Sequence, residues 1–428
     1  MLKWVLSALL FAAFSSGSFI TRFPSPFNLC GDGPGGVGVC MTLNHGIWDS
    51  LKTLKVDDAV EFNQFPVGLK ESGILRLRRV TVTEDGKDLD KTVLLRGGFF
   101  SSFKEAELAH DSFGLNAETT VFLGLSPYGS NGFIQMGNKT LFISTPWIFE
   151  GCDQFTLDLN NAATEYLGKG WRRNEYDFAT IVFDSAILTG KVPTWANEYK
   201  VPPSDILKNL PKGGPQVVKE RKNFRSAIEA DYELYKRKGS NIDAVAAFVY
   251  DLVGGTNAMY ARDFGSDISI VRITVWTGPD PYPGDAGGAL DYMRNTWDHY
   301  NPARAFATFI ASKNLGGGMA YVRALCNAPY AYGVAGNMVG SFPIPLQDYH
   351  NDNWDLFVFA HEVGHIWGGS HTHDIGADGC GHGNCNGARG GTIMSYCHTC
   401  SGGMSNIRLA FHDYSKNEIV PFVNSISC

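Results

Sequence analysis

The stretch from His361 to His371 constrains the chain most, because its spacing brings several metal-ligating side chains together. It has the pattern H-E-x-x-H-x-x-G-x-x-H. Histidines four residues apart, here His361 and His365, lie on one face of a helix. Gly368 can adopt the left-handed conformation that ends a helix, and His371 can then return to the same point. The pattern predicts a catalytic zinc site with three nitrogen ligands, a position open for water and Glu362 as the neighbouring base.

A second motif, Thr392-Ile393-Met394-Ser395-Tyr396, follows the third histidine. Together the two motifs resemble those of the metzincin zinc metalloproteases, and most closely those of the reprolysin (adamalysin) group. The resemblance covers residues 223–428, about the last half of the chain. It implies an α/β (α+β) catalytic domain with a mixed twisted sheet and a zinc helix.

The resemblance also implies roles for individual residues. His361, His365 and His371 would hold one Zn²⁺ ion, and Glu362 would move the proton during attack on a peptide carbonyl. Met394 would form a packing floor under the ion. An edge strand at 319–322 would pair with an extended substrate, and residues 401–407 would form part of a pocket wall.

Two positions depart from the reprolysin pattern. His373 follows the third histidine closely and is a competing ligand, although the turn at Gly368 favours His371. Tyr396 stands where reprolysins commonly have proline, and a tyrosine is found there in serralysins and astacins. It is expected either to ligate zinc or hydrogen-bond the transition state, or to be a buried structural tyrosine.

Nine cysteines favour disulfides in a chain that is predicted to be secreted. By resemblance, Cys326 pairs with Cys428. Four more cysteines, at 380, 385, 397 and 400, can pin the loop between the third histidine and the second motif, which resembles the Met-turn of metzincins, and they can pair in three ways. Cys397 with Cys400 also has the spacing of a redox or zinc pair. Cys30 and Cys40 can pair with each other, which leaves Cys152 as the odd cysteine. We expect Cys152 to be either a cysteine switch on the zinc or a buried free thiol.

The first residues have the features of a signal peptide, predicted at 1–18. Lys3 precedes an apolar stretch from Trp4 to Phe14, and small residues follow. This stretch is too short to span a bilayer, and no later stretch is apolar enough. The sequence therefore predicts a secreted protein that has no membrane contact once the signal is removed.

Residues 19–222 are predicted to be a mostly β pro-domain that ends in a Pro-rich linker at 190–222. Short β-rich runs between residues 51 and 145, separated by turn sequences, suggest antiparallel strands. The linker ends in Lys219-Glu220-Arg221-Lys222, which is either a processing site or a solvated turn. Asn138-Lys139-Thr140 has the form of a glycosylation sequon.

After residue 223 the pattern alternates between strands and helices, which favours a mixed sheet flanked by helices. Predicted strands are 227–235, 268–275, 303–311, 319–322 and 330–339. Predicted helices are 242–260, 285–300, the helix that carries the zinc motif, and 414–425.

The composition and net charge limit the classes of function that the chain can have. Hydrophobic residues make up 44% and charged residues 18%, so a packed core is expected. A net charge of −7 without a basic block argues against nucleic acid as the partner. Structural calcium occurs in relatives, but no acidic loop assigns a calcium site, and the sequence does not indicate the oligomeric state.

The leading hypothesis is a secreted zinc endopeptidase that acts on proteins or peptides and is made as a latent precursor. The alternatives are an inactive metzincin-fold protein that binds peptides, which the intact Glu362 disfavours, and a zinc amidase that acts on a non-peptide substrate.

Overall fold

The computed structural model describes residues 20–32, 39–67, 72–84, 86–89, 92–101, 119–126, 129–136, 139–144, 154–157, 199–200, 221–341, 353–382 and 385–428. Two sheets organise this part of the chain, one of ten strands and one of six. Cys152, Asn138, Lys219 and Glu220 lie outside the described residues, as do the side chains of Cys30 and Cys40.

The ten-stranded sheet forms the N-terminal domain, which we call the β-domain (residues 20–157). Its strands are β1 (Ile20–Phe23), β2 (Phe27–Asp32), β3 (Val39–Leu43), β4 (Ala59–Pro66), β5 (Ser72–Val80), β6 (Val93–Phe100), β7 (Thr119–Ser126), β8 (Gly129–Met136), β9 (Lys139–Ser144) and β10 (Gln154–Leu157). They lie in the order β1-β4-β5-β6-β7-β8-β9-β10-β3-β2, and every pair except β1 with β4 is antiparallel. The predicted β structure is therefore found.

Alternation along the strands divides this sheet into two apolar faces. In β7, Val121, Leu123 and Leu125 belong to one buried cluster, whereas Phe122 between them belongs to another. Helix α1 (His45–Lys52) covers the first face with Trp48. The second face packs against the C-terminal domain.

The six-stranded sheet forms the C-terminal domain (residues 221–428), together with one short upstream strand. Its strands are β11 (Tyr199–Lys200), β12 (Lys222–Ala230), β13 (Ser266–Val275), β14 (Phe306–Ile310), β15 (Gly318–Tyr321) and β16 (Tyr332–Ala335). The order is β11-β15-β16-β14-β12-β13. All pairs are parallel except β15 with β16, so β15 and the outermost strand β11 run opposite to the other four strands of a mixed sheet.

Five helices flank this sheet: α2 (Tyr232–Arg237), α3 (Ile242–Phe264), α4 (Ala286–Thr296), α5 (Trp354–Ile366) and α6 (Asp413–Ser425). Helix α3 is buried along most of its length, from Ala244 to Tyr260. A helix that is apolar on most sides needs partners around it, and here it contacts β13, α5, α6 and the β-domain. Gly265 ends α3 with a φ of 60°.

The predicted mixed sheet and its order of strands and helices are found, with one error of position. The first strand was predicted at 227–235 but runs from Lys222 to Ala230. Asp231 then accepts a hydrogen bond from Leu234 N at 2.7 Å and caps α2, which occupies the second half of the predicted strand. A single aspartate can begin a helix within an apolar run, and hydrophobic periodicity alone does not show this. Other boundaries move by a few residues.

Three disulfides lie in the C-terminal domain. Cys326 pairs with Cys428, as the resemblance implied, and Cys380–Cys397 and Cys385–Cys400 are the other two. Cys397 and Cys400 belong to different bridges and do not form a redox pair.

Asp251 of α3 generates a prediction about stability and pH. Burial raises the pKa of its carboxyl to about 7, while the positive charge of Lys238 acts in the opposite direction. In the unfolded chain the carboxyl ionises near pH 4, so between pH 4 and pH 7 the folded state holds a proton that the unfolded state has lost. Stability should therefore fall as pH rises through this window. Asp251→Asn should remove this contribution and gain up to about 4 kcal/mol over wild type at pH 8.

Denaturant unfolding at pH 5 and pH 8 measures this difference. Asp49 in α1 is exposed, and Asp49→Asn is the matched control. Its unfolding free energy relative to wild type should not rise between pH 5 and pH 8. An Asp251→Asn variant whose gain is the same at both pH values would contradict the prediction.

Candidate metal centre

Helix α5 carries the histidine motif and is buried at every position from Trp354 to Ile366. It packs against β15 and β16 and against α3. Its sequence is mostly apolar, and this explains why it enters the core although it carries two histidines and a glutamate. The 3.6-residue period places His361 and His365 on one face, with ring centroids 4.7 Å apart.

Three imidazole nitrogens converge at one point. His365 Nε2 lies 3.1 Å from His361 Nε2 and 2.9 Å from His371 Nε2. The opposite nitrogens of two rings face the backbone, with His361 Nδ1 2.6 Å from Ile393 O and His365 Nδ1 2.8 Å from Gly369 O. A carbonyl can only accept, so these two rings carry their proton on Nδ1 and turn a lone pair on Nε2 towards the common point.

The electrostatics of these rings fit a cation. Burial lowers the pKa of His361 to about 4 and holds the pKa values of His365 and His371 well below the usual range. All three are therefore neutral at pH 7. Lone pairs that face each other at about 3 Å repel unless a cation lies among them. At Zn–N lengths of about 2.0–2.1 Å, tetrahedral nitrogens lie about 3.4 Å apart, so the residues fit zinc.

The turn after α5 brings His371 into place. Gly368 has a φ of 101°, the left-handed conformation that the sequence predicted. Thr372 N and Oγ1 then donate to Met394 O at 3.0 and 3.2 Å. Glu418 of α6 holds the preceding Ser370 through its amide and hydroxyl, at 2.9 and 3.1 Å.

Met394 lies directly beneath α5. A Cβ at Gly364 would come within 2.6 Å of its sulfur, so the bare glycine lets the helix rest on this side chain. The neighbouring Ile393 supplies the carbonyl that orients His361. The segment from Ile393 to Met394 thus positions two of the three rings, because it also holds the His371 loop through Thr372.

Glu362 is 3% exposed and stands beside β15, which was predicted as an edge strand but is flanked by β11. A Cβ at Gly318 would lie 2.3 Å from Glu362 Oε1, so the carboxylate occupies space that any other residue at 318 would fill. Burial raises the pKa of Glu362 well above its usual value, and a cation at the histidines would act in the opposite direction. Glu362 Oε2 has no hydrogen-bond partner among the described residues.

Tyr396 and His373 lie next to the three rings. The Tyr396 ring is 4.2 Å from that of His371, and its buried hydroxyl has no partner in the described part of the chain. His373 stacks on His371 at 5.2 Å but is not in the group of His361, His365 and His371; it groups with His371 and Asp374 instead. The structure thus brings His371 to the other two nitrogens.

Sequence reasoning missed Gly318 and Glu418. Gly318 closes a run of three glycines, and such a run before an edge strand is a signal for a close approach by another group. Glu418 had no such signal, because α6 meets the loop only through the tertiary fold.

Other groups of potential ligands are occupied by protein partners. Asp231 accepts from Ser312 N and Lys313 N in addition to capping α2, and Asp280 binds Lys313 Nζ. Cys380 and Cys397, which group with Asp378, form a disulfide. These carboxylates and sulfurs therefore have structural roles.

The third ligand generates a testable prediction. The nitrogen of His371 converges with the other two, so His371→Ala should abolish stoichiometric zinc binding, whereas His373→Ala should retain it. Elemental analysis after dialysis measures zinc per chain, with about one ion expected for wild type. Loss of zinc in His373→Ala and not in His371→Ala would reverse the assignment.

One family model covers the part of the chain that carries this geometry. Residues 220–409 match the family model Reprolysin_5, described as metallo-peptidase family M12. Among solved structures, metalloproteinase-II from Bacteroides fragilis aligns with 86% of this chain and 96% of its own, at 11% identity and a TM-score of 0.36. The family match confirms the resemblance noted from the two motifs.

Proposed function

Residues 220–409 carry a metzincin-like metallopeptidase domain of family M12, and we propose that the chain is a secreted zinc endopeptidase made as a latent precursor. The observation that carries the proposal is the convergence of three neutral imidazole nitrogens beside the buried Glu362. This arrangement has the three ligands and the carboxylate base that zinc-assisted hydrolysis requires.

Each residue of the site would have its own role in peptide hydrolysis. His361, His365 and His371 would hold one Zn²⁺ ion, which when bound supplies a Lewis acid and lowers the pKa of water to about 7. Glu362 would take a proton from the attacking water and give one to the leaving amine. The hydroxyl of Tyr396, which has no partner among the residues that the structure describes, would donate to the oxygen that gains negative charge.

Strand β15 is the element on which a peptide substrate would lie. It pairs with β16 on one side and contacts α5 through Gly318 and Glu362. An extended peptide added to its other edge would form backbone hydrogen bonds close to the catalytic carboxylate. We therefore propose that the substrates are proteins and peptides.

Latency is supported by what occupies that edge in the intact chain. Tyr199 and Lys200, which form β11, pair in parallel with Ala320 and Tyr321 of β15. An upstream segment of the same chain thus lies on the strand that a substrate needs. We propose that residues 19–222 form the pro-domain and that cutting within the linker at 190–222 releases this edge. Cys152, outside the described residues, stays a proposed cysteine switch.

The processing bond itself is expected upstream of Arg221, so Arg221 and Lys222, the last two residues of the predicted pro-domain, would remain on the C-terminal domain. Arg221 Nε donates to Asp267 at 2.6 Å, and Lys222 Nζ donates to Val423 O at 2.8 Å and Asn424 O at 3.2 Å. Lys222 is also the first residue of β12. The C-terminal domain therefore holds the side chains of both residues, which disfavours a cut at this point.

Secretion is supported by the predicted signal at 1–18 and by three disulfides, which form in oxidising compartments. Among the described helices, none is both long enough and apolar enough to cross a membrane. A non-catalytic peptide-binding protein is the second candidate, and the intact Glu362 beside the histidines disfavours it.

A casein-cleavage assay tests the enzyme directly. The chain cut in its linker should cleave casein, a chelator should abolish cleavage and added zinc should restore it. Glu362→Ala should lower kcat/KM by about 10²–10⁴-fold, because the general base is lost. Glu233→Ala, in α2, is the control and should keep wild-type activity. A wild-type protein that binds peptides without cleaving them would favour the second candidate, and an intact chain as active as the cut chain would refute latency.

Gly318 provides a sharper test of the site. Gly318→Ala places a methyl group 2.3 Å from Glu362 Oε1 and must displace the carboxylate. We expect kcat to fall by about 10²-fold, because displacement of a catalytic group by about 1 Å has that effect, while zinc content stays at wild-type level. Gly284→Ala is the control, since a Cβ there meets nothing within 4 Å. Wild-type kcat in Gly318→Ala would show that this close approach is not needed.

A further inference from the structure

The β-domain and the C-terminal domain share one hydrophobic core. Val82, Leu94, Phe122 and Phe133 of the β-domain are each at most 1% exposed, and they belong to the same cluster as the apolar side chains of α3 and α5. The β-domain has a second cluster of its own on the opposite face of its sheet. Its core therefore does not depend on the face that meets α3, yet these four side chains of that face are buried.

Two glycines, one from each domain, allow side chains of the other domain to approach the backbone closely. A Cβ at Gly254 of α3 would lie 2.5 Å from the Phe122 ring, and a Cβ at Gly124 of β7 would lie 2.0 Å from Asp251 Oδ1. Phe122 thus rests on bare helix backbone, and Asp251 rests on bare strand backbone. Such reciprocal close approach is a feature of packed interiors.

Polar groups at this interface are also paired across it. Asn131 Nδ2 donates to Asp251 Oδ2 at 2.7 Å. Arg96 Nη1 donates to Asn257 O at 3.2 Å and to Asp267 Oδ1 at 2.6 Å. Thr83 also forms a β-bridge with Ile270 of β13. Separation of the domains would expose both the apolar cluster and these groups to water.

The position of this interface leaves the substrate strand accessible. The β-domain meets β13, which is one edge of the six-stranded sheet, whereas β15 lies beside the opposite edge. Four strand spacings of about 4.8 Å, roughly 19 Å in all, separate β13 from β15. Of the described residues before 221, those that pair with β15 are the two of β11.

The cysteines of the C-terminal domain pair among themselves, at 326–428, 380–397 and 385–400. They therefore provide no covalent link to the β-domain.

From these observations we propose that the β-domain stays bound after the linker is cut, so that the active enzyme is a non-covalent complex of two chains. Cutting would leave the β11 segment tethered at one end and held on β15 by two residue pairs, so that a substrate can displace it, while the much larger contact with α3 and β13 persists. The β-domain of the same chain would thus remain bound to the surface of α3 and act as a permanent subunit. This inference rests on the proposed function only in its claim that the two-chain form is the active one.

The experiment places a recognition sequence for a site-specific protease between Gly213 and Gly214 of the full chain. After cutting, both fragments should co-elute in native gel filtration at micromolar concentration and should run as two bands on a non-reducing denaturing gel. The co-eluting fraction should cleave casein. Fragments that elute separately would overturn the proposal, and so would a complex that becomes active only after the β-domain is removed.

A matched pair of variants tests whether the α3 surface is responsible. Gly254→Ala favours the helix itself but places a methyl group against Phe122, so the cut fragments should bind at least tenfold more weakly. Gly287→Ala, in α4, is the control, because a Cβ there makes only ordinary contacts of 3.4 Å or more. Thermal unfolding of the uncut variants confirms that both fold. Equal affinity in Gly254→Ala and Gly287→Ala would refute the role of this surface.

The two proposals fail in different ways. If neither the complex nor the isolated C-terminal fragment cleaves casein, the proposed function fails, whereas co-elution still shows a lasting interface. If the fragments separate and the C-terminal fragment alone is active, the proposed function stands and the two-chain enzyme is refuted.

Discussion

The site depends on keeping three imidazoles neutral while their lone pairs face each other. Burial lowers the pKa values of His361, His365 and His371, and backbone carbonyls fix the Nδ1 protons of the first two. Without a cation, the three lone pairs repel each other in the buried site. A bound cation would remove this repulsion and so stabilise the folded chain. Much of the C-terminal domain can be understood as support for this arrangement.

That support comes from elements far apart in the chain. Helix α5 supplies two rings, the turn at Gly368 returns the third, and the segment at 393–394 orients the first while Met394 packs under the helix. Strand β15 confines Glu362 because Gly318 has no side chain. Small residues are thus placed where the backbone of one element must approach a functional side chain of another.

Two parts of the N-terminal half, the segment at 199–200 and the β-domain, contact different ends of the six-stranded sheet. The segment at 199–200 lies on β15, the strand proposed to bind substrate, and the β-domain packs on α3 and β13 at the other end of the sheet. The proposed block of substrate binding and the packing of the β-domain therefore involve different surfaces. In the proposed enzyme, a cut between them would relieve the block and leave the packing intact.

The sequence by itself determined the zinc motif, the Met-turn, the helix-ending role of Gly368 and the mixed α/β order, because each depends on spacing within a short segment. It also indicated the bridge from Cys326 to Cys428 through resemblance. Local pattern did not place the end of β12, since the Asp231 cap of α2 lies within an apolar run.

Only the tertiary structure decided which of His371 and His373 meets the other rings, how the four loop cysteines pair, and that Gly318 adjoins Glu362. It also decided that the β-domain and α3 share a core. Each of these contacts joins residues or elements whose approach depends on how the chain packs, and no local periodicity encodes such an approach.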